Sequence, residues 1–304
     1  MDDWEKYFAE HPAPPHHDVA CAEMKSFCQK HVNEKRNIAL VTSGGTTVPL
    51  ERNTVRFVDN FSAGTRGAAS TEYFLNLGYA VIFLHRDESI MPFFRHLNSR
   101  VLDALQEGPG GLLQLSPTHS AQVHPIWRNY QIVKAEGRLL WLTFTSLSDY
   151  LWLLRSATQC LQQHAPKALL YLAAAVSDFY IPQDKIPEHK IQSSAGPHTV
   201  TLQIVPKMLS PLVSIWGPEL FVVSFKLETD EKKLIEKATG ALQKYKHDLV
   251  IGNLLHTRRE EVTFVTEKSS SLLRLMEHQK AEKIEIEKLI VEEVCNRHKK
   301  YIKY

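Results

Sequence analysis

Five short apolar runs, separated by stretches long enough for helices, constrain this chain more than any other feature. They are IALV at 38–41, YAVIFLH at 79–85, ALLYLAAAVSDF at 168–179, LFVVSF at 220–225 and DLVIGN at 248–253. Each is apolar at successive rather than alternate positions, the pattern of a strand covered on both faces. Helix-length amphipathic stretches lie among them at 64–77, 146–164, 206–216 and 230–246. Strands alternating with helices require crossover connections, which make neighbouring strands parallel. The expected fold is α/β: a doubly wound, mainly parallel, Rossmann-like sheet with helices on both faces.

A single α/β domain over residues 1–304 accounts for the length, since open sheets of this kind often run so long as one unit. The Pro-rich start, about residues 1–16, reads as an extended arm before a helix near 17–34. Residues 87–136 break the rhythm with GPGG and scattered Pro and His, and read as an irregular insertion until WLTFTSL resumes it. Near the end, VTFVTEK and SLLRLME read as a strand pair, followed by a charged helix over about 278–300.

With 36 basic and 34 acidic residues dispersed along the chain, no sign-biased surface is offered to nucleic acid or anionic lipid. The start lacks the basic and apolar regions of a signal peptide, and no later run is long enough to span a bilayer. A cytoplasmic protein that meets neither membrane nor nucleic acid is expected. Cys21, Cys28, Cys160 and Cys295 have no zinc-site or disulfide spacing and read as small buried hydrophobes in a reducing compartment.

In an open parallel sheet, ligands bind beyond the carboxyl ends of the strands, so the residues after each apolar run carry the functional information. After the first run comes Ser43-Gly44-Gly45-Thr46, whose glycines let backbone N–H groups approach an anion. A tight turn alone explains them almost as well. Next, Ser62, Gly64 and Gly67 open a helix near Thr65, and the free N–H groups of a helix start favour an anion. The letters match neither the dinucleotide nor the Walker pattern, so phosphate binding rests on two glycine turns sharing one crossover.

At the third end, Ala173 to Ser177 leave room for a ligand and Asp178 can accept hydrogen bonds, against the plainer reading of close packing and a cap. Phe225 can stack on a base and Asn253 can read its edge, though either residue can equally be structural. The segment PQDKIPEHKIQSSAGP reads as an irregular lid in which Lys190 brings positive charge to a phosphate. Solvated surface is the default reading for Lys190 and His189.

Together, LVTSGGTTVPLERNTVRFVDNFSAGTRGA, YLAAAVSDFY, PEHKIQS, VPKMLSPLV, SFKLETD and LVIGNLL, in this order over residues 40–255, resemble the phosphopantothenate–cysteine ligases of the eukaryotic, stand-alone type. The resemblance implies an amide formed between 4'-phosphopantothenate and L-cysteine through an acyl-adenylate, with release of AMP and pyrophosphate, in coenzyme A biosynthesis. It implies ATP as substrate and Mg2+ as its companion, with the metal ligands unassigned. By motif, Gly44, Ser62, Gly64 and Gly67 hold the phosphates and ribose, and Phe225 and Asn253 lie near the nucleotide. Asn60 stands beside the reacting carboxyl and is catalytic with Lys190. Ala174, Ala175 and Asp178 line the phosphopantothenate site, to which Arg56 reaches across a homodimer interface.

Bacterial relatives have Lys-Ile-Lys-Lys where this chain has Lys190-Ile191-Gln192-Ser193, which leaves Lys190, Lys207 and Lys226 as sources of charge. Two rival readings remain. Tyr130-x-x-x-Lys134 spells the motif of a short-chain NAD(P)-dependent reductase, although the glycine-rich turn of that family is absent after the first strand. The other is a non-catalytic regulatory subunit that binds a nucleotide or a pantothenate derivative.

Overall fold

A computed structural model describes residues 1–97 and 101–303. The apolar runs become the inner strands of one eight-stranded sheet. In chain order the main elements are α1 (Asp3–Glu10), α2 (His17–Asn33), β1 (Ile38–Ser43), α3 (Thr65–Asn76), β2 (Ala80–Arg86), α4 (Pro117–Glu136), β3 (Leu139–Phe144), α5 (Leu147–Gln162) and β4 (Ala168–Leu172). They continue with β5 (Phe221–Glu228), α6 (Glu231–Tyr245), β6 (Leu249–Leu254), β7 (Glu261–Val265), β8 (Ser270–Arg274) and α7 (Ile286–Ile302). The strand order is β3-β2-β1-β4-β5-β6-β7-β8, parallel from β3 through β6 and antiparallel at β7 and β8. The chain therefore winds outward from β1 in one direction and from β4 in the other. The crevice between those two strands is the switch point where such sheets bind ligands.

Successive apolar letters serve opposite faces, as a strand's period of two requires. Ile38, Leu40, Ile82, Leu84, Ala168 and Leu170 pack under α1, α2, α5 and the short helical segment from Leu209 to Trp216. Ala39, Val41, Val81, Phe83, Leu169 and Tyr171 pack under α3 and α7. All twelve of these side chains are fully or almost fully buried. Each aliphatic one contributes roughly 1.5–3 kcal/mol relative to exposure, so a one-residue slip of any inner strand is strongly disfavoured.

Three segments differ from the sequence expectation. Asp3–Glu10 is helical rather than an extended arm. Glu5 accepts from the backbone of Asp2 at 2.7 Å, Tyr7 and Phe8 bury their rings in the core, and the Arg155 guanidinium lies over Phe8 at 4.9 Å. The 87–136 region holds a small hairpin (Leu105–Glu107 with Leu113–Leu115) and the 20-residue helix α4. That helix starts on Pro117 and stops at left-handed Gly137, both ordinary helix signals. Its interior Pro125 and a single buried residue, Val133, leave almost no apolar periodicity to read. The C-terminal helix is broken, with Lys283 at φ +55° separating Glu277–Ala281 from α7.

Two of the buried histidines, His298 and His247, sit away from the strands' carboxyl ends. His298 is held by the Tyr79 hydroxyl at 2.8 Å and the Pro166 carbonyl at 2.9 Å, and His247 faces the Ser224 hydroxyl at 2.7 Å. Burial pushes both down to about 4 from an ordinary 6.5. The unfolded chain then binds more protons between those values, so their contribution is complete above pH 6.5 and lost as pH falls toward 4. Buried Asp248, pushed up to about 6, opposes them, because its contribution is lost as pH rises through that value. His11, His85 and His164, also lowered by burial, act with the two histidines, and Glu287, raised by burial, acts with Asp248, so the histidines predominate. The urea midpoint is expected to fall steadily from pH 7 to pH 5 (roughly the histidine window), and His298→Gln is expected to flatten that slope; a pH-independent midpoint would contradict the assignment.

Candidate active site

β1 and β4 end where their apolar letters end, but the two chains stay joined beyond the sheet. Thr42 Oγ1 accepts from Ala174 N at 3.1 Å, the Gly44 carbonyl accepts from Ala175 N at 2.8 Å, and Thr46 N donates to the Ala175 carbonyl at 3.1 Å. Thr46 Oγ1 then accepts from Ser177 N at 3.0 Å. This splice holds Gly44 to Thr46 beside Ala174 to Ser177 at the mouth of the switch-point crevice. Gly44 has φ +86°, and a Cβ there would lie 2.7 Å from that of Arg86, so position 44 requires glycine.

Asn60 is laid across the splice. Its N–H donates to the Thr46 carbonyl at 3.1 Å and its amide Nδ2 points to the Val176 carbonyl at 3.4 Å. A Cβ on Gly45 would fall 1.7 Å from the Asn60 carbonyl oxygen, so that glycine is what lets Asn60 settle there. The short hairpin of Thr47–Pro49 with Phe57–Asp59 delivers Asn60 to this position. Asp59 is anchored by Arg86 Nη1 at 2.5 Å, at the end of β2.

The start of α3 sits directly on the end of β1. Ser43 donates its hydroxyl to the Gly64 carbonyl at 3.0 Å, Ser62 Oγ faces Gly64 N at 3.4 Å, and Gly64 takes φ +82°. The first-turn N–H groups of this helix therefore open beside Gly44, where an anion is stabilised. Gly67 is buried, and a Cβ there would meet that of Ser43 at 2.4 Å. Close helix–strand packing thus explains the glycine at 67 by itself.

At the far side of α3, the Phe225 ring stands edge-on to Tyr171 at 4.9 Å, with the Arg66 guanidinium 5.8 Å from its centroid. Arg66, in the first turn of α3, also donates to the Arg258 carbonyl at 2.5 Å and pairs with Glu287 at 3.2 Å. Asn253 is only 6% exposed; its Nδ2 reaches the Lys226 carbonyl at 3.4 Å, while its Oδ1 has no partner. A buried acceptor left open at a strand's carboxyl end is the kind of group a ligand satisfies.

Of the residues selected from sequence, Gly44, Asn60, Ser62, Gly64, Ala174 and Ala175 come together around the strand-end splice, and Phe225 lies beside Arg66 in the first turn of α3, with Asn253 on the neighbouring strand. Asp178 lies at the edge, exposed, its carbonyl accepting from Val205 N at 2.9 Å. Lys190 is exposed on the loop after β4, and Arg56 sits on the turn of the hairpin, where it pairs with Glu51 at 2.8 Å. The loop is not irregular throughout: Arg52 N donates to the Pro187 carbonyl at 2.9 Å and Asn53 N to the Glu188 carbonyl at 3.1 Å. Sequence reading missed Glu51 and Arg86. A charged letter in a polar loop carries no mark of burial, and the second apolar run was ended one residue before Arg86.

Tyr130, by contrast, lies on α4 against the rings of Phe93 and Phe94, at 5.4 and 5.7 Å, and not among the strand-end residues. Among the described residues, no three His, Cys, Asp or Glu side chains gather into a metal cage, and no helix is long and apolar enough to cross a membrane.

These features define a doubly wound α/β protein with a glycine-lined crevice at its switch point. Residues 155–297 match the family model described as the DNA/pantothenate metabolism flavoprotein C-terminal domain. The human phosphopantothenate–cysteine ligase is 45% identical over 300 residues, covering 97% of this chain and 96% of that protein. The Saccharomyces cerevisiae phosphopantothenate–cysteine ligase is 43% identical over 326 residues, covering 98% and 86%. A solved structure of a Cab2 mutant in complex with phosphopantothenate-cysteine superposes with a TM-score of 0.90 at 44% identity, covering 98% of each chain. The chain belongs to the phosphopantothenate–cysteine ligase family. Neither the reductase nor the non-catalytic reading is supported.

Since the Asn60 carbonyl fills the space a side chain at 45 would need, Gly45→Ala is expected to displace Asn60 while leaving the sheet intact. A shift of that size costs on the order of a hundredfold in turnover. Circular dichroism should stay native while turnover falls; wild-type turnover would contradict the packing argument.

Proposed function

We propose that this chain joins 4'-phosphopantothenate to the amine of L-cysteine through an acyl-adenylate, releasing AMP and pyrophosphate, on the route to coenzyme A. The observation that carries this reading is the placement of Asn60 on the splice between Gly44 and Ala175, beside the opening of α3, in a chain of this family.

A carboxylate is a poor electrophile because its leaving group would be oxide. Attack of the carboxylate oxygen on the α-phosphorus of ATP breaks the bond to the β-phosphate bridge and expels pyrophosphate. The resulting mixed anhydride has a phosphate leaving group. Attack by the cysteine amine on its acyl carbon then breaks the C–O bond, forms the amide, expels AMP and releases a proton.

Catalysis of both steps is largely a matter of meeting charge at oxygen with fixed donors. The N–H groups at Gly44, Ser62, Gly64 and Gly67 would cradle the phosphates and ribose, with Phe225 and the open Oδ1 of Asn253 toward the base. Asn60 would turn its amide from the long contact with Val176 to the carboxyl and acyl phosphate oxygens. Ala174, Ala175 and Asp178 would line the phosphopantothenate arm. Lys190 would face a phosphate, and Arg56 would complete the site of a second copy in a homodimer. Mg2+ would accompany the triphosphate and neutralise part of its charge. A cytoplasmic setting and ATP rather than CTP complete the proposal.

Pyrophosphate release is expected to require the phosphorylated acid, to proceed faster with ATP than with CTP, and to leave an acyl-adenylate when cysteine is omitted. Asn60→Ala is expected to lower the rate by roughly a hundredfold to a thousandfold, the usual effect of removing one transition-state donor. Unchanged release in that variant would remove Asn60 from the chemistry.

A further inference from the structure

Glu51 is a carboxylate with no exposed surface, in a polar turn where the neighbouring strands are only three residues long. Desolvating such a group is costly unless its lone pairs are met. Here both oxygens are met. Oε2 accepts from Arg56 N at 2.9 Å and Val55 N at 3.3 Å, and Oε1 accepts from Arg56 Nη1 at 2.8 Å and Ile191 N at 3.4 Å. Three of these donors belong to the hairpin turn and the fourth to the loop after β4, 140 residues away in sequence.

The other contacts between the two segments are backbone pairs and exposed side-chain bonds, among them Arg52 Nη2 to the Gln183 carbonyl at 3.1 Å and Asn53 Nδ2 with His189 Nδ1 at 3.5 Å. Arg56 Nη1 reaches the Ile191 carbonyl at 3.3 Å, and Arg52 and Asn53 donate to the carbonyls of Pro187 and Glu188. Glu51 is thus the one buried charge at the seam. It spaces the two segments so that this backbone pairing is in register, and it fixes the Arg56 side chain from below.

We propose that Glu51 is a positioning residue that locks the Arg56 turn and the Lys190 loop into one unit, so that Lys190 in its own site and Arg56 at the site of the second copy are held in fixed positions. The roles of Arg56 and Lys190 in that sentence rest on the function proposed above. The lock itself does not. The segment carrying Lys190 is therefore no independent lid: it moves only with the hairpin that ends in Asn60.

Glu51→Gln tests this in the full-length chain, because it keeps the shape but turns an NH2 group toward donors and removes the charge opposite Arg56. Without substrates, amide exchange at Ile191 and Arg56 should accelerate by about tenfold or more, while Ala175 and Asn60 stay protected. With substrates, KM for 4'-phosphopantothenate should rise by about tenfold with KM for ATP within about twofold, and Glu51→Asp should restore part of the loss. Unchanged exchange at Ile191 would overturn the lock. Equal rises in both KM values with a lowered Tm would also overturn it, by showing a general structural role. Should the Gln variant not fold, Glu51→Asp carries the same two readouts at smaller size. Should wild-type protein release no pyrophosphate, the functional reading fails while the exchange result still decides the lock.

Discussion

The hydrogen-bonded splice beyond the ends of β1 and β4 is the constraint on which the rest of the site depends. Neither strand is long enough to reach Asn60, and the sheet alone would leave 44–46 and 173–177 as free loops. Four backbone and threonine hydrogen bonds prevent that, each worth about 1 kcal/mol net but costing more if a buried partner is left unpaired. The splice is possible because Gly44 can take a left-handed conformation and because Gly45 presents no side chain to Asn60. The hairpin hangs from it through the Thr46–Asn60 bond and the loop after β4 through Ser177, while α3 is tied to the adjoining Ser43.

Buried polar groups go unmet in more than one part of the fold: His247 Nδ1 and Trp216 Nε1, away from the crevice, lack partners among the described residues. His298, buried among the connections opposite the crevice, has both ring nitrogens occupied by protein groups. At the carboxyl end, Asn253 Oδ1 and Thr257 Oγ1 are buried without partners, and the α3 start leaves N–H groups open. A fold can tolerate that cost where a ligand supplies the missing bonds. Arg66, Arg86 and Arg56 each sit near the crevice or its rim, and each is held by a carboxylate, Glu287, Asp59 or Glu51.

Much of this was legible in the letters, and for definite reasons. A strand buried on both faces must be apolar at every position, which made IALV and its counterparts readable. A strand's end must turn polar or small, which made Gly44, Gly64 and Ala174 readable as candidates. The short helix at Asp3–Glu10 was hidden by its proline-rich sequel, and α4 by an apolar stripe reduced to Val133. Glu51 was unreadable in principle: its importance comes from meeting Ile191 across the fold, and nothing local to ERNTVRF announces a partner there. Close packing of α3 on Ser43 requires the glycine at 67 whether or not its N–H also meets a ligand.

The central claim is that this crevice activates a carboxylate by giving it a nucleotidyl leaving group. The most direct measurement is the fate of oxygen in 4'-phosphopantothenate labelled with 18O in its carboxyl group, followed through one round of reaction with ATP and cysteine. The claim predicts that one labelled oxygen passes into the phosphate of AMP. Label in inorganic phosphate or pyrophosphate, or none in AMP, would contradict it.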